Sequence, residues 1–271
     1  MDYMFIIRGG IMKVIILHKK IIISIIALAI LFSSLFFYFH TSLSLAVELT
    51  TNSVVDESLK EKVATLTKQE EKIAYLTFDD GPTLKATGKI LDILKEEDIK
   101  ATFFVVGKHV KEHPELVKRA YDEGHYIANH GYNHDNNKLY KSSDSFISEI
   151  KNTDIEIGKA IGVEDYCSHV FRFPNGYMSP NNKAKKKEAA KLIANMNYTY
   201  IDWNCLNNDS VKKYSNSQLL KNLKKSSKNK GTLVVLMHDT SDVNDTPSIL
   251  KDSIDYLKSQ GYEFRNFYDL L

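Results

Sequence analysis

The chain has 271 residues, of which 43% are hydrophobic, 26% charged and 11% aromatic. This composition excludes a disordered or collagen-like protein and is compatible with one large or two small globular domains. Lys+Arg is 36 and Asp+Glu is 34, which leaves a formal net charge of +2. A nucleic-acid-binding protein would normally carry a concentrated basic excess, so none is indicated. Two cysteines are too few for a disulfide framework.

The first predicted element is a membrane-spanning helix over residues 21–39, a segment that is uncharged and almost entirely apolar. A helix of that length spans about 28 Å, enough for the hydrocarbon core of a bilayer. Residues 1–20 carry several Lys and Arg side chains, whereas residues 40–55 carry none. The positive-inside rule therefore predicts a cytoplasmic N-terminus at residues 1–20 and a single-pass anchor at residues 21–39. Everything after Phe39 would then be extracellular.

A cleaved signal peptide is the alternative, because the residues ending at Ala46 resemble a small-x-small cleavage site, and the protein would then be secreted. The apolar segment is longer than the usual core of a signal peptide, about 7–15 residues, which favours the anchor. Residues 40–70 are rich in Ser, Thr, Lys and Glu and are predicted to form a solvated stalk, partly helical over residues 57–69. Residues 71–271 are predicted to form one domain.

Beyond residue 70, short apolar or β-branched segments alternate with helical patterns. Strands are predicted at residues 73–78, 101–106, 126–129, 170–173, 199–203, 232–237 and 262–265. Helices are predicted at residues 87–96, 114–123, 143–161, 182–195, 217–227 and 246–260. Such alternation predicts an α/β fold with a parallel sheet and outer helices, and both a barrel and an open doubly wound sheet fit. No glycine-rich phosphate loop follows the first strand, which disfavours a Rossmann domain.

Polar and ionisable side chains are concentrated at the C-terminal ends of the predicted strands, where sites lie in both architectures. In chain order they are Asp79, Asp80, His130, His134, Arg172, Asn175, Asp202, Trp203, Asp209 and His238. Because the C-terminal ends of parallel strands meet at one edge of a sheet, we expect these side chains to form a single site.

The spacing of two histidines in this set indicates a metal site. His130 and His134 are four residues apart, and one carboxylate of Asp79 or Asp80 would complete a two-histidine, one-carboxylate site with open positions. The other carboxylate is then free to act as a general base. Taken alone, the two histidines would also fit a solvated surface pair. The two aspartates, taken alone, would also fit a turn or a helix cap. Their placement on one rim favours the metal site.

Five motifs, in order, resemble those of the polysaccharide deacetylase family, the NodB homology domain of carbohydrate esterase family 4. The motifs are TFDDG at residues 77–81, HGYNH at 130–134 for the family's H[ST]xxH, RFPNG at 172–176 for RxPxG, and the segments 203–209 and 235–239. The resemblance covers residues 73–271, and TFDDG followed by the other two motifs is a highly specific combination. It implies a distorted (β/α)7 barrel.

The resemblance also implies roles for the residues of the first three motifs. Asp80, His130 and His134 would bind a divalent metal, usually zinc in this family. Asp79 would be the general base that activates the attacking water. Arg172 would hold Asp79 in place and keep it ionised, as a neighbouring cation should.

The remaining positions complete the implied machinery. His238 would be the general acid that protonates the leaving amine, with Asp209 orienting it. The backbone N–H of Asn175 would help to stabilise the oxyanion, although the family often has Tyr at this position. Ser210 stands where many members have a bulky residue that lines the acetyl pocket. Trp203 would substitute as an apolar wall, unless it serves only core packing.

One further departure affects the metal. Gly131 stands where the family usually has Ser or Thr, whose hydroxyl supports the loop that carries the histidines. The departure therefore predicts a lower metal affinity.

The function implied by the resemblance is metal-dependent hydrolytic N-deacetylation of a cell-wall glycan, with N-acetylglucosamine of peptidoglycan as the expected substrate. The predicted anchor agrees, because it places the site next to the wall. An O-acetyl esterase acting on xylan or another polysaccharide would use the same machinery. A non-catalytic wall-binding protein would keep the same fold, and an iron oxygenase is a more remote alternative. No nucleic acid and no obligate protein partner is indicated.

Overall fold

The structure, a computed structural model, describes residues 58–240 and 243–271. Within these two ranges, no helix is both long enough and apolar enough to cross a membrane. The predicted cytoplasmic segment, the anchor and most of the stalk lie outside the described residues, and so does the cleavage site after Ala46.

Eight parallel strands form one curled sheet. They are β1 (Ile73–Asp79), β2 (Thr102–Val105), β3 (Tyr126–Asn129), β4 (Val170–Phe171), β5 (Thr199–Tyr200), β6 (Cys205–Leu206), β7 (Leu233–His238) and β8 (Glu263–Arg265). The order across the sheet is β5-β4-β3-β2-β1-β7-β6, and β8 pairs with the first residues of β1. The predicted parallel α/β sheet is therefore confirmed.

Strand β1 lies at the centre of the sheet and sets the position of the site. All seven of its residues are buried, as expected for a parallel strand covered on both faces. Its register with the neighbouring strands places Asp79 beside Phe104 of β2 and beside His238 of β7. Two ionisable residues that are far apart in the sequence thus become neighbours at the C-terminal edge.

The predicted strand over residues 199–203 is two separate strands in the structure. β5 pairs with β4 at one edge of the sheet, and β6 pairs with β7 at the other. Residues 201–204 cross between the edges, with the Ile201 N–H donating to the Phe171 carbonyl (3.1 Å) and the Asn204 N–H to the Val234 carbonyl (3.2 Å). Since no strand pairing joins β5 to β6 among the described residues, the predicted barrel is confirmed only as a curled half-barrel.

The helices surround this sheet. They are α1 (residues 58–65), α2 (Thr87–Glu96), α3 (Gly107–Glu112), α4 (Pro114–Asp122), α5 (Asn136–Leu139), α6 (Ser143–Ile161), α7 (Lys183–Ala194), α8 (Asn216–Ser227) and α9 (Pro247–Ser259). The six predicted helices agree with the structure to within one residue at each end. The short helices α3 and α5 were not predicted, because a segment of four to six residues carries too little periodicity to be detected.

Helix α1 and the 3₁₀ turn that follows it, Leu66–Lys68, agree with the helix predicted within residues 57–69, but they are packed against the domain and not solvated. Leu59, Val63 and Leu66 are spaced so that they share one face of a helix. They are 3%, 5% and 0% exposed and belong to the same core cluster as Tyr75 and Val234. Residues 58–68 therefore belong to the folded domain, which begins before the predicted boundary at residue 71.

We expect Leu66→Ala to lower the free energy of unfolding by about 2–5 kcal/mol, since it removes a fully buried side chain from a packed cluster. Leu84→Ala is the matched control, because Leu84 is 72% exposed and its truncation leaves no cavity. Urea denaturation of the two variants measures the difference. Equal stabilities would show that this segment does not contribute to the core.

Candidate active site

Two consecutive aspartates end β1 and diverge from each other. Asp79 is the last residue of the strand and is 3% exposed. Asp80 has φ +73, a left-handed conformation that turns the chain sharply. Its carbonyl oxygen lies 2.8 Å from Nδ1 of His109 on α3, and the Asp79 carbonyl accepts the Asp239 N–H at 2.7 Å. The two carboxylates consequently occupy different parts of the site.

Asp80 faces two histidines from the loop after β3. Its Oδ1 lies 3.5 Å from Nε2 of His130 and 3.3 Å from Nε2 of His134. Nδ1 of His130 lies 2.7 Å from the Arg172 carbonyl, which fixes the hydrogen on Nδ1 and leaves the Nε2 lone pair directed toward Asp80. All three residues can offer ligand atoms within 4.8 Å of one another.

This group fits a divalent cation on its own chemistry. Oδ1 of Asp80 is buried and has no hydrogen-bond partner among the described residues, which is costly unless an ion or another ligand satisfies it. Burial lowers the pKa of His130, so the imidazole is neutral at pH 7. Burial alone would raise the pKa of Asp80, but the facing His130 and His134 lower it overall. Neutral imidazole and ionised carboxylate are the forms that bind a metal.

Asp79 is held by a buried arginine rather than by the histidines. Oδ1 of Asp79 accepts a hydrogen bond from Nη1 of Arg172 at 2.7 Å, while its Oδ2 lies 3.7 Å from Nε2 of His130. Arg172 is fully buried, donates to the Thr77 hydroxyl (2.8 Å) and stacks on the ring of Phe104 at 3.9 Å. One oxygen of Asp79 is thus occupied, and the other faces the histidine side of the site.

Asp209 and His238 form a hydrogen-bonded pair on the β7 side of Asp79. Nδ1 of the His238 ring lies 2.7 Å from Oδ1 of Asp209. Oδ2 of Asp209 accepts hydrogen bonds from the backbone N–H of His238 and from the Thr246 hydroxyl, both at 2.9 Å. Burial lowers the pKa of His238, but the hydrogen bond and charge of Asp209 outweigh it and raise the pKa to about 9. The imidazolium therefore persists at neutral pH and can donate a proton from Nε2.

The loop after β4 carries Asn175 at an exposed position with φ +64. The Asn175 N–H has no hydrogen-bond partner among the described residues, so it can donate to a ligand. A methyl group at Gly176 would lie only 2.7 Å from Cη2 of Trp203, which shows how closely the loop and the indole approach. Trp203 is half-buried, lies 5.7 Å from the Arg172 guanidinium and packs against the core cluster, which confirms the packing role.

Lys186 and Asp202 support the rim loops, and the sequence analysis placed Asp202 at the rim but missed Lys186. Lys186 of α7 is 1% exposed and donates to the Gly176 carbonyl (2.5 Å) and the Ser179 hydroxyl (2.6 Å). The Asp202 carboxylate accepts the N–H groups of Tyr177 and Met178 at 2.7 and 2.8 Å. Lys186 stands in a run of lysines, and no sequence signal separates it from its solvated neighbours.

The fold and the site together define a parallel α/β half-barrel with a candidate metal centre at the C-terminal edge of its sheet. Two buried pairs, Asp79 with Arg172 and Asp209 with His238, lie beside that centre. The sequence matches the family model described as polysaccharide deacetylase over residues 67–201. It is 34% identical over 202 residues to the peptidoglycan-N-acetylmuramic acid deacetylase PdaA of Bacillus subtilis, covering 74% of this chain and 72% of the relative. It is 36% identical over 208 residues to a peptidoglycan-N-acetylglucosamine deacetylase of Bacillus cereus, covering 74% and 71%.

A solved structure agrees with these matches. A Streptococcus mutans CE4 esterase superposes with a TM-score of 0.69 at 29% sequence identity, covering 76% of this chain and 90% of that one. The chain therefore belongs to the polysaccharide deacetylase family, and it is a deacetylase of the hydrolase class. Members of this family use a divalent metal, and Asp80, His130 and His134 are the candidate ligands.

Proposed function

We propose that this protein is a metal-dependent N-deacetylase of peptidoglycan that acts on N-acetylglucosamine. One observation carries the proposal: the orphaned carboxylate oxygen of Asp80 faces two imidazole nitrogens, and Asp79 and His238 flank it on the same edge of the sheet. Amide hydrolysis by water needs an electrophilic centre, a base and an acid, and this arrangement supplies all three.

The proposed mechanism assigns each proton to a named atom. A divalent metal such as zinc, when bound by Asp80, His130 and His134, supplies Lewis acidity toward the amide carbonyl and the attacking water. Oδ2 of Asp79 accepts the proton of that water, while Arg172 holds the other oxygen. As water adds to the carbonyl carbon, the backbone N–H of Asn175 donates a hydrogen bond to the developing oxyanion. The Trp203 side chain forms an apolar wall beside the acetyl group.

The second half of the reaction uses His238 and its partner Asp209. Nε2 of His238 donates its proton to the nitrogen of the sugar, the C–N bond breaks, and acetate and a free amine leave. The Asp209 carboxylate stabilises the imidazolium before that transfer and holds the ring with its Nε2 available. Asp209 thus acts through His238 and is a positioning residue.

The pH dependence of the reaction follows from His238. With a pKa of about 9, the acid is protonated below pH 9, so kcat/KM is expected to fall as pH rises through that value. The same raised pKa adds conformational stability that is complete below about pH 6.5 and is lost as pH rises toward 9. In Asp209→Asn the burial of His238 is opposed only by the smaller effects of the Asp79 and Asp80 charges, so the pKa of His238 falls and the alkaline limb should move to lower pH. A limb that stays in place in the pH profile of Asp209→Asn would contradict the assignment of His238.

Location and substrate are proposed from the sequence and the relatives. An anchor at residues 21–39 would place the domain outside the membrane and beside the wall, and cleavage after Ala46 would release it. The Bacillus cereus relative supports N-acetylglucosamine as the substrate. The similar identity to PdaA favours N-acetylmuramic acid as the second candidate.

Product analysis distinguishes these two sugars. Purified peptidoglycan is incubated with the full chain and zinc and then digested with a muramidase, and the free amine is located in each disaccharide by fragmentation mass spectrometry. Free amines on glucosamine that are absent with Asp79→Asn support the proposal. Free amines on muramic acid alone would replace the proposed substrate with the second candidate. Loss of O-acetyl groups alone would show an esterase instead.

A further inference from the structure

The backbone between the two histidine ligands is bent and needs support from outside the loop. Gly131 has φ +83 and His134 has φ +53, so two of the five residues 130–134 lie in the left-handed region. A non-glycine residue there is under strain unless its surroundings fix it. The conformation of this loop decides whether Nε2 of His130 and of His134 face Asp80 together.

The carbonyl groups of the loop are held by α3. The Gly107 N–H donates to the Gly131 carbonyl and the Lys108 N–H to the Tyr132 carbonyl, both at 3.0 Å. A methyl group at Gly107 would lie 2.5 Å from the Tyr132 ring, so the first residue of α3 meets the loop in close contact. The first turn of α3 therefore fixes one side of the loop.

The N–H groups of the loop are held by side chains. The Gly131 N–H donates to Oδ1 of Asn129 at 2.9 Å. The N–H groups of Tyr132 and Asn133 both donate to Oε2 of Glu149 at 2.8 Å, and Nδ2 of Asn133 donates to Oε1 of the same carboxylate at 2.5 Å. One buried carboxylate, 7% exposed, thus accepts three hydrogen bonds from the residues between the two ligands.

The helix that carries Glu149 is well fixed. The Ser142 hydroxyl caps the N-terminus of α6 by accepting the Ser145 N–H, and Gly162 ends the helix in a left-handed conformation. Nδ2 of Asn129 also donates to Oδ1 of Asp154 on the same helix at 2.9 Å. Helix α6 therefore supports the loop at two points, directly through Glu149 and indirectly through Asp154 and Asn129.

We propose that Glu149 is a positioning residue that holds the 130–134 loop in its metal-binding conformation. The carboxylate also adjoins position 131, since an added Cβ at Gly131 would lie 3.7 Å from Oε2 of Glu149. The inference rests on the metal site of the proposed function, but it concerns metal affinity and not the reaction. Partners that orient metal ligands typically change affinity by about 10- to 100-fold when they are removed.

The test is zinc binding by the full chain, measured by competition with a chromophoric chelator and without any substrate. Glu149→Gln replaces one of the two acceptor oxygens with an N–H₂ group, which then faces a donor, either the two backbone N–H groups or Nδ2 of Asn133. Its zinc affinity is expected to fall about 10- to 100-fold. Glu156→Gln on the same helix is the control, because among the described residues its carboxylate pairs with Lys159 (2.9 Å) and does not contact the 130–134 loop, so its affinity should match the wild-type value.

A second variant decides the question if Glu149→Gln does not fold. Asn133→Ala removes the side-chain hydrogen bond to Oε1 of Glu149 and an exposed contact from Nζ of Lys138 (3.2 Å), and it leaves the two backbone hydrogen bonds to Oε2 in place. A several-fold loss of zinc affinity is expected with little change in thermal stability. A merely structural role for Glu149 would lower the melting temperature and leave the affinity of the folded protein unchanged. Zinc affinities within twofold of wild type in the folded variants would overturn this inference alone. Normal zinc binding without acetate release would overturn the proposed function alone.

Discussion

Asp79→Asn is expected to lower kcat/KM for acetate release by about 10²- to 10⁴-fold, the usual contribution of a positioned base. Asparagine keeps the size of the side chain and can still accept the Arg172 hydrogen bond, but its amide cannot take a proton from water. Zinc affinity should be retained, because the orphaned ligand oxygen belongs to Asp80 and not to Asp79. Acetate release and zinc competition on the same preparation separate the two effects.

The control for this prediction is Asp92→Asn. Asp92 is an exposed carboxylate on α2 that pairs with Arg119 at 2.7 Å, and its loss should leave kcat/KM unchanged. An Asp79→Asn protein that retains more than a tenth of the wild-type kcat/KM would show that another group acts as the base.

Arg172→Met is expected to lower the free energy of unfolding by about 3–5 kcal/mol, the cost of leaving a buried charge without its partner. The variant leaves the Asp79 carboxylate without its cation at a position where it is 3% exposed, and it leaves the Ile201 carbonyl and the Thr77 hydroxyl without their donor. Urea denaturation at pH 7 measures the loss. The expected effect is large because one guanidinium satisfies several buried acceptors at once.

Arg119→Met is the matched control, because Arg119 pairs with Asp92 and Glu123 at the surface and should contribute about 0–1 kcal/mol. If Arg172→Met does not fold, the double variant Arg172→Met with Asp79→Asn should recover part of the stability, since no unpaired charge remains. Similar stabilities for Arg172→Met and Arg119→Met would contradict the structural importance of the buried pair.

The centre of the sheet could be predicted from the sequence because its strands are long, apolar and separated by periodic helices. The same regularity placed Asp79 and His238 at strand ends, and the register of β1 with β7 then made them neighbours. The edges could not be predicted, because β5 and β6 have only two residues each and carry no period. The crossing over residues 201–204 is determined by hydrogen bonds to Phe171 and Val234, which lie elsewhere in the sequence.

The residues that support the site could not be predicted from the sequence either, because their roles depend on contacts with distant parts of the chain. Glu149, His109 and Lys186 are ordinary polar residues on helices, and only tertiary contacts bring them to the rim loops. The structure explains why glycine is tolerated at position 131, where the family usually has Ser or Thr. Its φ of +83 suits glycine better than serine, so the loop conformation itself is compatible with the departure. The predicted reduction in metal affinity therefore depends on how much support Glu149 supplies.

The most direct test of metal-dependent deacetylation is acetate release from peptidoglycan by the full chain after its metal has been removed. The protein is treated with a chelator, its metal content is verified, and zinc is then restored in equimolar amount. The proposed mechanism predicts that release stops in the metal-free protein and returns with zinc. Continued release by the verified metal-free protein, or no release by the folded zinc-loaded protein, would contradict it.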